Sequence, residues 1–333
     1  MAEHVMLLSV FFTFFFVSFF MDSNLRIDES PRKKLEGHTE KIKCLDWSLS
    51  GNYLASGSKD RTVKIWNAKH HSRCDYSFSF KSTVLQVKWN PVKEEIIACT
   101  VEKDMVYIWN IENEESMMSV RIVGHPDYLS WSPDGKYMCV MNDRGVVFII
   151  DAITCNITTV KSAGNQSVTR NDICWGLDSS CLYVASGTDD MGCVEIIEFN
   201  EESKEFAFAN RLPISMGECN TIDIDRRHNL LAVGSSDSIL TIIDFCEMIP
   251  VSSIKLHNTG IKRARWTFRG GYVAFCSSDN VITLVSPLTG EVKKNYQISE
   301  YSTVFSCCSK RCGVSVVMGK SDKDVKSIDI ITV

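Results

Sequence analysis

A tryptophan recurs along this chain at a nearly constant interval. Trp47, Trp89, Trp131 and Trp175 are separated by 42, 42 and 44 residues, and each is followed seven residues later by a pair of apolar residues. Around each tryptophan lie short runs of alternating apolar and polar residues bounded by turn residues, a pattern typical of β-strands rather than helices. An isolated three-stranded sheet of this size cannot bury one face alone, so the repeated units must pack against one another.

The same pattern continues to the end of the chain. Trp266 lies 91 residues after Trp175, and a degenerate copy between them has Ile224 in the tryptophan position. A last copy has Cys307 there, which makes seven units. A period of about 40 to 45 residues with four strands per unit is typical of propeller blades of the WD40 kind, whereas a sandwich has regular turns without this register. The chain resembles the WD40 family over residues 35–333, and we predict an all-β, seven-bladed β-propeller.

The first unit contains the four polar side chains that form a hydrogen-bonded tetrad in the WD40 family. The resemblance implies that His38 bridges Ser56 and Asp60, and that Ser56 accepts a hydrogen bond from the Trp66 indole. Because buried polar groups need every partner in place, we interpret these residues as structural rather than catalytic. In the later units only Gly124-His125 is predicted to survive, so packing must hold those blades together.

The two ends of the chain are predicted to share one blade. The last unit ends after its third strand and lacks an outer strand, and the residues Arg32–Glu36 are expected to supply it. This pairing closes the ring and removes an exposed sheet edge. We therefore expect residues 22–333 to form a single domain, although the length alone would suit two.

Charge and cysteine content narrow the class of protein. The formal net charge is −5 and the pI is about 5.9, so the molecule has no overall basic field for nucleic acid. Most of the fourteen cysteines lie within strand runs, where cysteine behaves as a small apolar residue. Cys307, Cys308 and Cys312 have no neighbouring histidine to complete a zinc site. We predict reduced thiols, a cytosolic or nuclear protein, and no metal or other cofactor.

Residues 1–21 do not belong to the repeat. Val5–Met21 is an uncharged run of 17 residues rich in phenylalanine. It lacks the positive start and small-residue cleavage site of a signal peptide, and it is at the short end of a membrane span. Three interpretations stay open: an incorrectly assigned start with Met21 as the initiator, a membrane anchor with the propeller facing the cytoplasm, and a signal peptide.

Two regions are candidates for contact with a partner. Residues 200–217 form the longest insertion and predict an extended outer hairpin. Lysine and arginine side chains are expected on loops at one rim of the ring. Those of the sixth unit could equally lie on a strand face that is exposed to solvent. These rim candidates are Lys41, Lys59, Arg61, Lys262 and Arg263.

The sequence offers no candidate for catalysis. It contains no GxGxxG, GxxxxGK[ST], HExxH or GxSxG motif, and its seven histidines are scattered. We therefore predict no catalytic residue and no small-molecule substrate. A fold alone does not give function, and the pattern favours a rigid disc that presents loops to other proteins.

The later units resemble one particular branch of the WD40 family. Residues 129–152, 184–199, 230–245 and 275–291 are similar in succession to the third subunit of the THO complex, whose later blades also end in Ile-Asp or plain apolar strands. The resemblance implies a nuclear scaffold that couples transcription to mRNA processing and export, binds helical partner subunits and meets RNA only indirectly. The alternative is another WD40 adaptor, such as a ubiquitin-ligase substrate receptor, a histone-peptide reader or a trafficking component, in the cytoplasm or tethered to a membrane.

Overall fold

Strands and the turns between them make up the described part of the chain. The computed structural model describes residues 33–68, 74–113, 115–160, 168–188, 191–200, 205–225, 227–267, 270–279, 281–297, 305–307, 313–318 and 327–332. The hydrophobic segment 1–21 lies outside these ranges, so its three interpretations stay predictions. Within the ranges, no helix has the length and apolar character needed to cross a membrane.

Six blades each consist of four consecutive antiparallel strands, with the first strand innermost. The first blade contains β2 (Ile42–Trp47), β3 (Tyr53–Ser58), β4 (Thr62–Asn67) and β5 (Cys74–Ser79). The second contains β6 (Val84–Trp89), β7 (Ile96–Val101), β8 (Met105–Asn110) and β9 (Glu115–Arg121), and the third contains β10 (Pro126–Trp131), β11 (Tyr137–Asn142), β12 (Val147–Asp151) and β13 (Ile157–Thr159).

The next three blades follow the same order. The fourth contains β14 (Thr169–Trp175), β15 (Cys181–Thr188), β16 (Met191–Asn200) and β17 (Glu205–Ser215). The fifth contains β18 (Cys219–Asp225), β19 (Leu230–Ser235), β20 (Leu240–Asp244) and β21 (Ile249–Ile254), and the sixth contains β22 (Ile261–Trp266), β23 (Val273–Ser277), β24 (Val281–Val285) and β25 (Val292–Gln297).

The remaining sheet is assembled from both ends of the chain. Its strand order is β1-β28-β27-β26, and Leu35 of β1 pairs with Ile328 of β28. The prediction of a seven-bladed propeller is therefore corrected: the described ranges contain six blades, each built from four consecutive strands. The remaining sheet is a composite, in which β1 joins three strands from the C-terminal part of the chain, as predicted. Its members are β1 (Lys33–Glu36), β26 (Phe305–Cys307), β27 (Gly313–Met318) and β28 (Ser327–Thr332).

The innermost strands form a closed ring. Each packs against the innermost strand of the next sheet, and β26 packs against β2 to complete the circle. In all six consecutive blades this strand has a β-bulge at the same place, as between Ile42 and Cys44 in β2 and between Ile261 and Arg263 in β22. A bulge re-aims the side chains that follow it, so it helps to set which residues face the central channel.

The recurring tryptophan joins neighbouring blades. Its ring is buried in the apolar layer between two blades, and its indole N–H donates to a backbone carbonyl of the preceding inner strand. The acceptor is always the residue just before the tryptophan position of that strand. The four bonds are Trp89 to Asp46 (3.1 Å), Trp131 to Lys88 (3.2 Å), Trp175 to Ser130 (3.1 Å) and Trp266 to Asp223 (3.0 Å).

Candidate functional site

The four polar residues singled out in the first blade lie in contact with one another. His38 Nδ1 is 2.8 Å from Asp60 Oδ2, and His38 Nε2 is 2.7 Å from Ser56 Oγ. Ser56 Oγ also accepts the indole N–H of Trp66 at 2.8 Å. Burial alone would raise the pKa of Asp60, but hydrogen bonds from His38 and Thr62 outweigh it and hold that pKa well below its usual range. The group is closed on itself, which suits fastening a blade rather than chemistry.

A second histidine–aspartate pair, which the sequence analysis missed, lies in the sixth blade. His257 Nδ1 is 2.9 Å from Asp279 Oδ2, and His257 Nε2 is 2.8 Å from Thr283 Oγ1. Phe275 stands at the register position that Ser56 has in the first blade, and its ring contacts the His257 ring edge-on at 5.0 Å. The histidine therefore takes its second hydrogen bond from the neighbouring strand.

Counting from the tryptophan identifies this pair. His257 precedes Trp266 by nine residues, the interval that separates His38 from the tryptophan ending its own inner strand. His125 precedes its tryptophan by only six residues, and its backbone N–H rather than its ring is bonded to Asp143 Oδ1 at 3.0 Å. The prediction that only Gly124-His125 survives is therefore wrong.

The second blade keeps the tryptophan of the tetrad but not its partners. By strand register, Cys99 stands in the serine position and Trp109 in the tryptophan position. Phe80 precedes Trp89 by the same interval as His38 precedes Trp47, so it stands at the position of the histidine. Its ring contacts the ring of Trp109 edge-on at 5.9 Å. The Trp109 indole N–H is buried without a hydrogen-bond partner. An aromatic contact has replaced a polar one.

A buried glutamate ties the fourth blade to its neighbour. Glu195 is fully buried, and its two oxygens lie 2.6 Å from Arg170 Nε and 2.5 Å from Arg211 Nη2. Arg170 Nη1 also donates to the carbonyl of Gly145 in the third blade at 2.7 Å. Sequence reasoning missed this cluster because its members lie 16 and 25 residues apart.

The central channel encloses a cavity of about 220 Å³. Strands from all seven sheets contribute to its wall, including the described part of the composite sheet. The wall carries four cationic side chains and three carboxylates, which are Lys43, Lys88, Arg263, Arg265, Asp46, Asp172 and Asp223.

The predicted rim cations do not form one group. Lys41, Lys59 and Arg61 lie together on the first blade, where the backbone N–H of Lys59 donates to the carbonyl of Lys41 at 2.8 Å. Lys262 is exposed at the start of β22 in the sixth blade, across the composite sheet. Arg263 lines the central cavity instead of the rim, because the bulge in β22 changes the direction of the residues around it.

The extended hairpin expected in the region 200–217 is present in the fourth blade. β16 and β17 are 10 and 11 residues long, against five or six in the third strands of the other blades. The outer strand β17 exposes Ala209 and Asn210 near its middle. Arg211 lies over the Phe208 ring at 5.9 Å, which stiffens this edge.

Comparison with known proteins fits this architecture. Residues 29–67 match the family model of the WD domain, G-beta repeat. The chain is 24% identical over 262 residues to THO complex subunit 3 of Arabidopsis thaliana, covering 78% of this chain and 80% of that protein. It is 21% identical over 249 residues to WD repeat-containing protein AAC3 of Dictyostelium discoideum, covering 68% of this chain and 51% of that protein.

A solved structure shows the same fold. The beta-propeller domain of Cps50 (Swd1) of Myceliophteria thermophila matches with a TM-score of 0.78 at 14% identity, over 91% of this chain and 100% of that domain. At this identity the likeness is one of fold. The chain is thus a β-propeller with a WD40 repeat at its first blade, similar along most of its length to THO complex subunit 3.

Proposed function

We propose that this chain is a non-enzymatic scaffold subunit of a nuclear THO-type complex that couples transcription to mRNA processing and export. The observation that carries the proposal is the extent of the similarity to THO complex subunit 3, which spans most of both chains. The alignment covers 80% of THO complex subunit 3, whereas the alignment with WD repeat-containing protein AAC3 covers only 51% of that protein.

The physical properties of the ring suit a platform for partner subunits. The inner strands close on themselves, and the indole bonds tie blade to blade, so loops on the rims are held in fixed positions. With a formal net charge of −5, the molecule as a whole has no field that attracts RNA. RNA therefore reaches the assembly through other subunits.

The hairpin β16–β17 is the surface we propose for the helical partner. It extends about four residues beyond the strands of the other blades, which at about 3.3 Å per residue is roughly 13 Å. Among the described strands, its outer strand β17 pairs only with β16, so its other edge is open to a partner. The cations of the first blade are a second proposed contact surface, and Lys262 of the sixth blade is a separate one.

Affinity purification tests whether the chain belongs to a THO-type complex. The chain is expressed with a C-terminal tag from Met1 and from Met21, and the co-purifying proteins are identified by mass spectrometry. Recovery of other THO-type subunits supports the assignment. Recovery of ubiquitin-ligase, chromatin or vesicle-coat subunits instead contradicts it and favours another WD40 adaptor.

A pair of matched variants tests the contact surface. Asn210→Arg places a charge at the exposed middle of β17, and Ser79→Arg places the same charge on the exposed outer strand of the first blade. We expect the first variant to reduce recovery of the partners at least tenfold and the second to leave it unchanged. Equal recovery with both variants would move the contact elsewhere on the ring.

A further inference from the structure

The carboxylates on the wall of the central cavity are already committed to partners. Asp46 Oδ1 is 3.0 Å from Lys88 Nζ, and Asp46 Oδ2 accepts the backbone N–H of Trp89 at 2.9 Å. Asp223 Oδ2 accepts the backbone N–H of Trp266 at 2.7 Å. These two acidic side chains are therefore parts of the ring's own structure.

The third carboxylate is the most fully engaged. Asp172 Oδ2 accepts hydrogen bonds from Arg265 Nη1 at 3.1 Å, from Thr221 Oγ1 at 3.0 Å and from the backbone N–H of Ile222 at 3.2 Å. Burial alone would raise the pKa of Asp172, but the charges of Arg265 and then Arg263 outweigh it and lower that pKa. The other oxygen of Asp172, Oδ1, accepts the backbone N–H of Ile173 at 3.0 Å, so both oxygens of the carboxylate are hydrogen-bonded.

Two cations on the same wall have no such partner. No carboxylate of the described chain forms an ion pair with Lys43 or Arg263, although both side chains are half-buried and line the cavity. Asp127 lies close enough to interact with Lys43 electrostatically but not within ion-pair distance. Tyr128 of the third blade also lines the cavity and lies close enough to Arg263 to interact with it electrostatically. The four cations of the wall outnumber its three carboxylates, and Arg263 acts on Asp172 through its charge without forming an ion pair with it.

We propose that this cavity binds a small phosphate-type oxyanion between Lys43, Arg263 and Tyr128. A tetrahedral oxyanion matches the fork of an arginine and the point charge of a lysine. It would supply the acceptors that the wall lacks. A volume of about 220 Å³ admits a phosphate compound or one phosphorylated side chain, but not a helix of about 10 Å diameter.

Phosphate binding to the isolated chain tests the site independently of the proposed complex. Inorganic phosphate is titrated by calorimetry at low ionic strength into the wild type, Lys43→Met and Arg263→Met. The matched control is Lys59→Met, which removes an exposed rim cation outside the cavity. Loss of one charged hydrogen-bonding group is expected to weaken binding roughly 10- to 100-fold, while the control keeps the wild-type affinity.

The outcomes separate the site from general electrostatics. No binding of phosphate at about 10 mM, or equal weakening by Lys59→Met, would overturn the proposal. Far-UV circular dichroism confirms folding, and if Arg263→Met does not fold, Lys43→Met and Arg263→Lys provide the comparison. Tighter binding of pyrophosphate identifies a free metabolite as the source, and tighter binding of a phosphoserine peptide identifies a partner side chain. Either result supports the site.

Discussion

The unsatisfied indole of the second blade allows a direct test of how the tetrad works. In the first blade Trp66 Nε1 donates to Ser56 Oγ at 2.8 Å. At the same register position the second blade has Cys99, and the Trp109 N–H has no partner. We predict that Cys99→Ser supplies the missing acceptor and forms the bond that the first blade already has.

The size of the effect follows from the cost of a lone buried donor. Leaving such a group unpaired costs about 1–3 kcal/mol, which is the upper limit of the gain. Burying a hydroxyl in place of a thiol offsets part of it, so the single variant should change the free energy of unfolding by less than about 1 kcal/mol. The interaction between the two positions should be larger, about 1–2 kcal/mol.

Urea unfolding of four proteins measures that interaction. These are the wild type, Cys99→Ser, Trp109→Phe and the double variant. Cys99→Ser should be harmful only when combined with Trp109→Phe, because the hydroxyl then loses its donor. Cys99→Ala provides no acceptor and should show no coupling with Trp109→Phe. A coupling for serine below about 0.5 kcal/mol, or one equal to that for alanine, would refute the reasoning.

Three further predictions concern the ring, the tetrad and the shared sheet. Trp131→Phe removes a hydrogen bond between two blades, whereas Trp109→Phe removes none. In urea unfolding, Trp131→Phe should therefore lower the free energy of unfolding by about 1–3 kcal/mol more than Trp109→Phe does. Equal losses would contradict this. The pKa of Asp60 is lowered in the folded state, so its contribution to stability is complete above its ordinary pKa of 3.8 and falls as the pH drops below that value. Asp60→Asn should therefore melt well below the wild type at pH 7, and the two melting temperatures should converge in acid. A difference in melting temperature that does not depend on pH would argue against the hydrogen bond between His38 and Asp60. Deletion of residues 1–36 removes the strand paired with β28 and should lower the melting temperature far more than deletion of residues 1–23, whereas equal melting would mean that the strand is dispensable.

Features that depend on counting along one chain were predictable from the sequence. The interval between tryptophans predicted repeated four-stranded blades, although seven were expected where six are built from consecutive strands, and the incomplete last repeat predicted that β1 would join it. The first-blade residues were identified as one group through the resemblance to the WD40 family, whose tetrad they match by position. In each case the spacing within a repeat fixes the register of its strands.

Features that depend on neighbouring blades were not predictable in the same way. The acceptor of each indole N–H lies 43 to 45 residues earlier in the chain, and nothing local marks a backbone carbonyl as that acceptor. Arg263 was expected among the cations of a rim, but it lies in β22 and lines the central cavity, next to a bulge that nothing in the sequence marks. His257 was missed because Phe275 and Val285 replace the serine and tryptophan that make the tetrad recognisable.

The junction between the fourth and fifth blades shows that different chemistry can hold the same ring. The fifth blade has Ile224 in the tryptophan position, and isoleucine cannot donate to the blade before it. At this junction Asp172 of the fourth blade instead accepts hydrogen bonds from Thr221 and Ile222 of the fifth. A carboxylate has taken the place of the indole.

This substitution also explains the charge of the central cavity. A buried carboxylate is stable only with a cation beside it, and Arg265 of the sixth blade lies 3.1 Å from Asp172. Arg263, two residues earlier on the same strand, also lowers the pKa of Asp172 by its charge, but it forms no ion pair with a carboxylate of the described wall. The junction that lacks an indole bond thus uses a carboxylate, and this carboxylate holds Arg265 at the cavity wall, while Arg263 is the arginine that we propose for an anion from outside.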